Sequence, residues 1–129
     1  YIASRTPENI NLNNINKRIE IINYYELANI NGYIIINTTP VGMYPNINNS
    51  PVSFDIAKRA KYVVDVIFNP NITKLLGDAK SEMNGLFMLV KQALKAEEIW
   101  QNNTYSELTL EILEYVRKNI WIIMEDYFK

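Results

Sequence analysis

Side chains able to do chemistry gather at four places along these 129 residues. The first is Ser4-Arg5-Thr6, which follows a short apolar run. An arginine directly after a strand can grip the 2′-phosphate of NADP through charge-assisted, bidentate hydrogen bonds; a site made for NAD more often has an acid there. The same three residues also read as a solvated charge beside a helix cap. The second is Thr38-Thr39-Pro40, after the apolar run Tyr33-Ile-Ile-Ile-Asn37; threonine hydroxyls there serve either a ligand or their own turn. The third is the polar stretch from Asp65 to Asn69. The fourth is Gly85, Met88 and Gln92, whose spacing puts them on one helix face. Glycine permits close approach of a planar group, methionine offers a soft apolar wall, and glutamine both donates and accepts. That face suits a nicotinamide and a hydroxylated substrate. Its alternative reading is a helix start with Met88 in the core and Gln92 at the rim.

Composition narrows the chemistry. There is no histidine, so proton transfer within this chain falls to Asp, Glu, Lys or Tyr. Cysteine is absent too, which rules out disulfides and thiolate metal sites, and no metal centre is expected. A formal net charge of −1 gives no reason to expect nucleic acid or an anionic membrane as partner. The densest apolar stretch, Ile120-Trp-Ile-Ile-Met124, is far short of the roughly 20 residues that span a bilayer. With no targeting segment visible at Tyr1-Ile-Ala-Ser-Arg5, the expected location is cytoplasmic.

The elements that must position these residues follow from periodicity. Short β-branched runs alternate with helical patterns, which predicts an α/β fold built on a mostly parallel sheet. Strands are expected at 1–4, 17–23, 33–37 and 62–66. The run at 33–37 is apolar throughout, as in a strand covered on both faces. Helices are expected from Pro7-Glu8, over 24–31 with Gly32 as C-cap, and over 54–60, 72–80 and 85–101. On the helix from Gly85, the stripe Leu86, Leu89, Val90 and Ala93 should pack on the sheet. A last helix over 105–127 opens with a capping box, Thr104 with Glu107, and carries the stripe Leu108, Ile112, Val116, Ile120 and Ile123. The segment 38–53, with three prolines and one glycine, is a loop. Between the helices at 72–80 and 85–101, Lys80-Ser-Glu-Met83 is expected to join them without a strand. In an open parallel sheet the strand ends share one edge, where ligands bind.

In order and spacing, four stretches resemble the C-terminal domain of the shikimate dehydrogenases. They are Ser4-Arg-Thr6, Ile36-Asn-Thr-Thr-Pro-Val-Gly-Met43, Val63-Val-Asp-Val-Ile-Phe-Asn-Pro70 with Thr73 and Leu75-Leu76, and Asn84-Gly-Leu-Phe-Met-Leu-Val-Lys-Gln-Ala93 followed by Glu98-Ile-Trp100. The resemblance implies a Rossmann-like three-layer sandwich spanning residues 1–129, with its first strand and Gly-rich turn missing. It also implies NADP as cofactor and 3-dehydroshikimate or shikimate as substrate. By motif, Arg5 and Thr6 would hold the adenosine 2′-phosphate with Ser4 beside them, and Thr38, Thr39 and Met43 would line the adenosine and ribose region. Val66 would border the nicotinamide, Gly85 would accept its carboxamide, and Met88 and Leu89 would flank its ring. Gln92 and position 68 would face the substrate. The catalytic Lys–Asp pair would come from an N-terminal domain outside this chain, so no catalytic residue is assigned here. Ile120–Met124 would pack on that domain or on a second copy in a homodimer.

Three departures qualify this implication. Ser4 stands where the family usually has Asn, Asn9 where it often has a basic residue, and Phe68 where it commonly has Tyr. A hydroxyl missing at position 68 removes a hydrogen bond of roughly 0.5–1.5 kcal/mol net. Phe68, Asn9 and the missing front end leave open an alternative: a non-catalytic nucleotide-binding or regulatory module derived from the same fold.

Overall fold

The computed structural model describes residues 1–11, 18–105, 110–116, 118 and 119. Five parallel strands appear among them: β1 (Ile2–Ser4), β2 (Ile21–Asn23), β3 (Ile34–Asn37), β4 (Tyr62–Asp65) and β5 (Glu82–Met83). They form two sheets, β1–β2 and β3–β4–β5. With them run the helices α1 (Phe54–Arg59), α2 (Lys74–Gly77) and α3 (Gly85–Gln101). The fold is α/β with parallel sheets, as the alternating pattern predicts.

Several expectations needed correction. Residues 80–83 do include a strand, since β5 pairs with β4 through Val63↔Glu82 and Val64↔Met83. It has only two residues, too few for periodicity to reveal; the Val63 N–H to Ser81 carbonyl bond and the Tyr62 hydroxyl on the Glu82 carbonyl hold it. The segments at Pro7 and 24–31 are single 3₁₀ turns, Pro7–Asn9 and Glu26–Asn29. The second closes at Ile30 rather than Gly32, because Ile30 N–H already reaches the Leu27 carbonyl. The helix expected over 72–80 shrinks to α2, whose start is fixed by the Thr73 hydroxyl accepting from Leu76 N–H. Thr104 is described, but Glu107, Leu108, Ile120 and Ile123 lie outside the described residues; 110–116 are helical.

The core packs one face of the larger sheet against α1 and α2. Ala57, Ala60, Val63, Leu75 and Leu76 are buried together, with Tyr33, Ile35, Val52 and Ala79 around them. Alternation along a strand sends neighbours to opposite faces. Ile35 and Asn37 therefore point inward, while Ile34 and Ile36 stay 62% and 64% exposed. The expectation that this run is covered on both faces does not hold, because nothing among the described residues packs on its second face. Burial on α3 is confined to Gly85, Leu86 and Val90; Ala93 is exposed, contrary to the expected stripe.

Between the two sheets lies a cavity of about 290 Å³, lined by Ile2 and Ala3 of β1, by Ile34, Ile35 and Ile36 of β3, and by Thr38 and Thr39 beyond. Among the described residues β1 pairs only with β2, and β3 only with β4 on its one side. Each of these two strands thus keeps an open edge, and the two strands flank a common slot.

Candidate functional site

β3 and β4 end in register, Asn37 beside Asp65. Both side chains are buried, at 3% and 0% exposure, and so is Thr73 at 1%. Burying polar groups is unfavourable unless each is bonded, and here each is. The Asp65 carboxyl accepts from Asn37 Nδ2 (3.1 Å) and the Ile67 N–H (3.1 Å) on Oδ1, and from the Thr73 hydroxyl (2.7 Å) on Oδ2. Asn37 Oδ1 in turn accepts from the Thr39 N–H (3.0 Å) and the Thr39 hydroxyl (2.7 Å). One connected set of bonds thereby ties the loop after β3, the loop after β4 and the start of α2.

The loop after β3 turns sharply. Met43 N–H bonds the Pro40 carbonyl, and Gly42 sits at φ +99° in the position a type II turn gives to glycine. Tyr44 N–H then donates to the Asn69 carbonyl, joining this loop to the one after β4. Between them opens a cavity of about 500 Å³, lined by Thr38, Thr39, Pro40, Met43, Tyr44, Val66, Ile67, Phe68 and Asn69. Its size falls within the range of small-molecule sites, and it lies at the carboxyl ends of parallel strands. It meets the inter-sheet slot at Thr38 and Thr39, which line both.

Of the residues singled out by sequence, Thr38, Thr39, Met43, Val66 and Phe68 come together on this cavity. Gly85 adjoins it through Val66: its N–H bonds the Ile67 carbonyl, and a Cβ there would overlap the Val66 carbonyl. Met88, Leu89 and Gln92 follow along α3 outside the cavity lining. Met88 is half exposed, so it is not a core methionine; Leu89 is half-buried and Gln92 is exposed. Ser4, Arg5 and Thr6 lie at the end of β1, also outside that lining; Arg5 is exposed, and the Ser4 hydroxyl accepts from Thr6 N–H. Among the described residues no group of three or more His, Cys, Asp or Glu could hold a metal. Nor is any helix among them long and apolar enough to cross a membrane.

No family model matches the chain. The shikimate dehydrogenase (NADP(+)) of Clostridium beijerinckii is 37% identical over 133 residues, covering 100% of this chain and 46% of that protein. The chorismate mutase/shikimate 5-dehydrogenase fusion protein of Clostridium acetobutylicum matches with a TM-score of 0.84 at 38% identity, over 93% of this chain and 45% of the other. The chain belongs to the shikimate dehydrogenase family. A shikimate dehydrogenase solved in complex with NADP+ matches at TM-score 0.60 and 34% identity, over 74% of this chain and 35% of the other. The chain spans less than half the length of each of these relatives.

Sequence reasoning missed part of this shikimate dehydrogenase cleft. Pro40, Ile67 and Asn69, which line it, read in sequence only as parts of polar strand ends without roles of their own; Tyr44, also in the lining, is not singled out there, and the bracing by Asn37, Asp65 and Thr73 is not foreseen. A signal existed for two of them: Asn37 and Asp65 are polar residues at inward positions closing apolar runs, and buried polar groups are the informative ones. Elsewhere, the Glu98 carboxyl is held below the usual carboxylate range by Lys95 Nζ and by the Tyr105 N–H, which anchors the end of α3.

Proposed function

We propose that this chain is the NADP-binding part of a shikimate dehydrogenase that interconverts 3-dehydroshikimate and shikimate on the route to chorismate and the aromatic amino acids. The observation that carries this reading is the single cleft walled by the loops after β3 and β4, with the start of α3 drawn onto Val66. The relative solved with NADP+ supports the choice of cofactor.

The residues present suit such a ligand. Met43, Val66, Ile67 and Phe68 make an apolar wall, and the lining also includes Thr38 and Thr39, the latter's hydroxyl held by Asn37. On this reading Arg5 and Thr6 hold the 2′-phosphate with Ser4 beside them, and Thr38, Thr39 and Met43 line the adenosine and ribose region. Val66, the Gly85 carbonyl, Met88 and Leu89 border the nicotinamide, and Gln92 and Phe68 face the substrate. When bound, NADPH supplies the hydride for the substrate carbonyl, and this chain contributes binding and orientation. The proton-transferring Lys–Asp pair belongs to an N-terminal domain outside this chain. The setting is cytoplasmic, and a homodimer is the candidate assembly.

The slot between the sheets agrees with this proposal. A doubly wound sheet of this type runs 3-2-1-4-5-6. The pairs β2–β1 and β3–β4–β5 correspond to 3-2 and 4-5-6, so the slot falls where strand 1 belongs. A further apolar strand of the full-length protein, followed by a Gly-rich turn, fills it on this reading and pairs with the open edges of β1 and β3.

The test is shikimate-dependent reduction of NADP+, followed by nicotinamide absorbance, with the full-length protein and with the isolated 129-residue chain. The full-length protein is expected to turn over and the isolated chain not to. A full-length protein that neither binds NADP(H) nor turns over shikimate overturns the proposal. Turnover by the isolated chain overturns the placement of the Lys–Asp pair.

A further inference from the structure

Asp65 sits where the core would accept an apolar side chain. It follows Val63 on the buried face of β4 and is itself fully buried, yet neither it nor Thr73 lines the cleft. A buried carboxyl is an unfavourable way to fill a core, so its use has to lie in what it organises. Its oxygens take donors from three segments: Asn37 at the end of β3, Ile67 in the loop after β4, and Thr73 at the cap of α2. Two of those segments are the walls of the cleft. Through Asn37 the carboxyl also fixes Thr39, whose N–H and hydroxyl both donate to Asn37 Oδ1. Through its bond to Ile67 N–H it fixes the turn that carries Val66 and Phe68.

We infer that Asp65, backed by Thr73, is a positioning residue that sets the separation of the two nucleotide-binding walls. The inference rests on the proposed nucleotide role of the cleft and adds to it a residue that touches no ligand. An apolar substitute could fill the same volume, but it would leave Asn37 Nδ2, Ile67 N–H and the Thr73 hydroxyl without an acceptor. The walls would then keep backbone links such as Tyr44 N–H to the Asn69 carbonyl but lose the side-chain bracing between them, and a ligand held by both would lose part of its pre-formed geometry.

The experiment uses the full-length protein, with NADPH dissociation constants from fluorescence titration and thermal midpoints measured in parallel. Asp65→Asn and Thr73→Val are each expected to weaken NADPH binding roughly tenfold, about the loss of one charge-assisted hydrogen bond. The double variant should be no worse than the weaker-binding single one, because both break the same link. Thr73→Ser restores the hydroxyl and should bind within about twofold of wild type. Leu75→Ala, in the core beneath, should lower the thermal midpoint at least as much and leave NADPH affinity within about twofold. If Asp65→Asn does not fold, the Thr73→Val and Thr73→Ser pair decides between the outcomes. Unchanged affinity in the folded Asp65 and Thr73 variants overturns the inference, as does an equal loss in Leu75→Ala. A wild type that binds no NADPH sinks the dehydrogenase reading together with this one; wild-type binding with unaffected variants sinks this one alone.

Discussion

Gly85→Ala is the sharpest perturbation available, because two effects of opposite sign compete at that position. Alanine is the better helix former by up to about 1 kcal/mol, so an α3 that merely began at Gly85 would gain stability from the change. Gly85, however, begins the helix against the end of β4. A Cβ there would overlap the carbonyl of Val66 and come within 3.0 Å of the Val66 Cα. These are backbone atoms and have no rotamer to retreat into. The first turn of α3 must move away, straining the Gly85 N–H bond to the Ile67 carbonyl, now 3.0 Å. Overpacking costs about 1–3 kcal/mol and the weakened bond about 1 kcal/mol, so after the propensity gain the net is a loss of about 1–3 kcal/mol. The matched control is Gly77→Ala. A Cβ there meets only Ile72 Cγ2 at 3.9 Å, an ordinary contact, so the change should be neutral or stabilise by roughly 0.4–1 kcal/mol. Urea denaturation of the full-length variants measures both. NADPH titration of Gly85→Ala should also show weaker binding, since the start of α3 moves off Val66 and carries the proposed nicotinamide contacts at Gly85, Met88 and Leu89 with it. A Gly85→Ala protein as stable as wild type, or more so, refutes the close-approach reasoning.

Other outcomes are expected from the proposed roles. Arg5→Ala should raise the KM for NADP(H) about tenfold or more while changing the shikimate KM little, and Gln92→Ala should show the reverse split. Equal effects on both substrates would remove either residue from its assigned place. Phe68→Tyr adds a hydroxyl at the cleft and should lower the shikimate KM by a factor of roughly 2–10, the equivalent of about 0.5–1.5 kcal/mol; an unchanged or raised KM would take position 68 away from the substrate. For Glu98, whose folded pKa is depressed by Lys95 and the Tyr105 N–H, the anchoring is complete above the ordinary carboxylate range. It is lost as pH falls through the depressed value. Hydrogen exchange at the Tyr105 amide, corrected for intrinsic rate, should stay protected at neutral pH and open in acid, and constant protection in acid would contradict this linkage.

Much of the architecture was legible in the order of residue types. Alternating β-branched and helical segments specified parallel strands, because a period of two and a period near 3.6 cannot be satisfied by the same element. The long helix from Gly85 announced itself through local chemistry that depends on near neighbours in sequence. The motifs around Thr38, Val66 and Gly85 were visible for the same reason. What sequence left out depends on partners far along the chain. β5 exists only because β4 offers it a ladder, so Glu82 and Met83 carry no pattern of their own. The exposure of Ile34 and Ile36 is decided by what stands opposite the sheet, which an apolar run cannot report. Above all, Asn37 and Asp65 are 28 positions apart in sequence and become partners only when β3 and β4 align in register. A buried hydrogen bond of that kind has no local signature, since its stability comes from the geometry that two separately folded segments impose on each other.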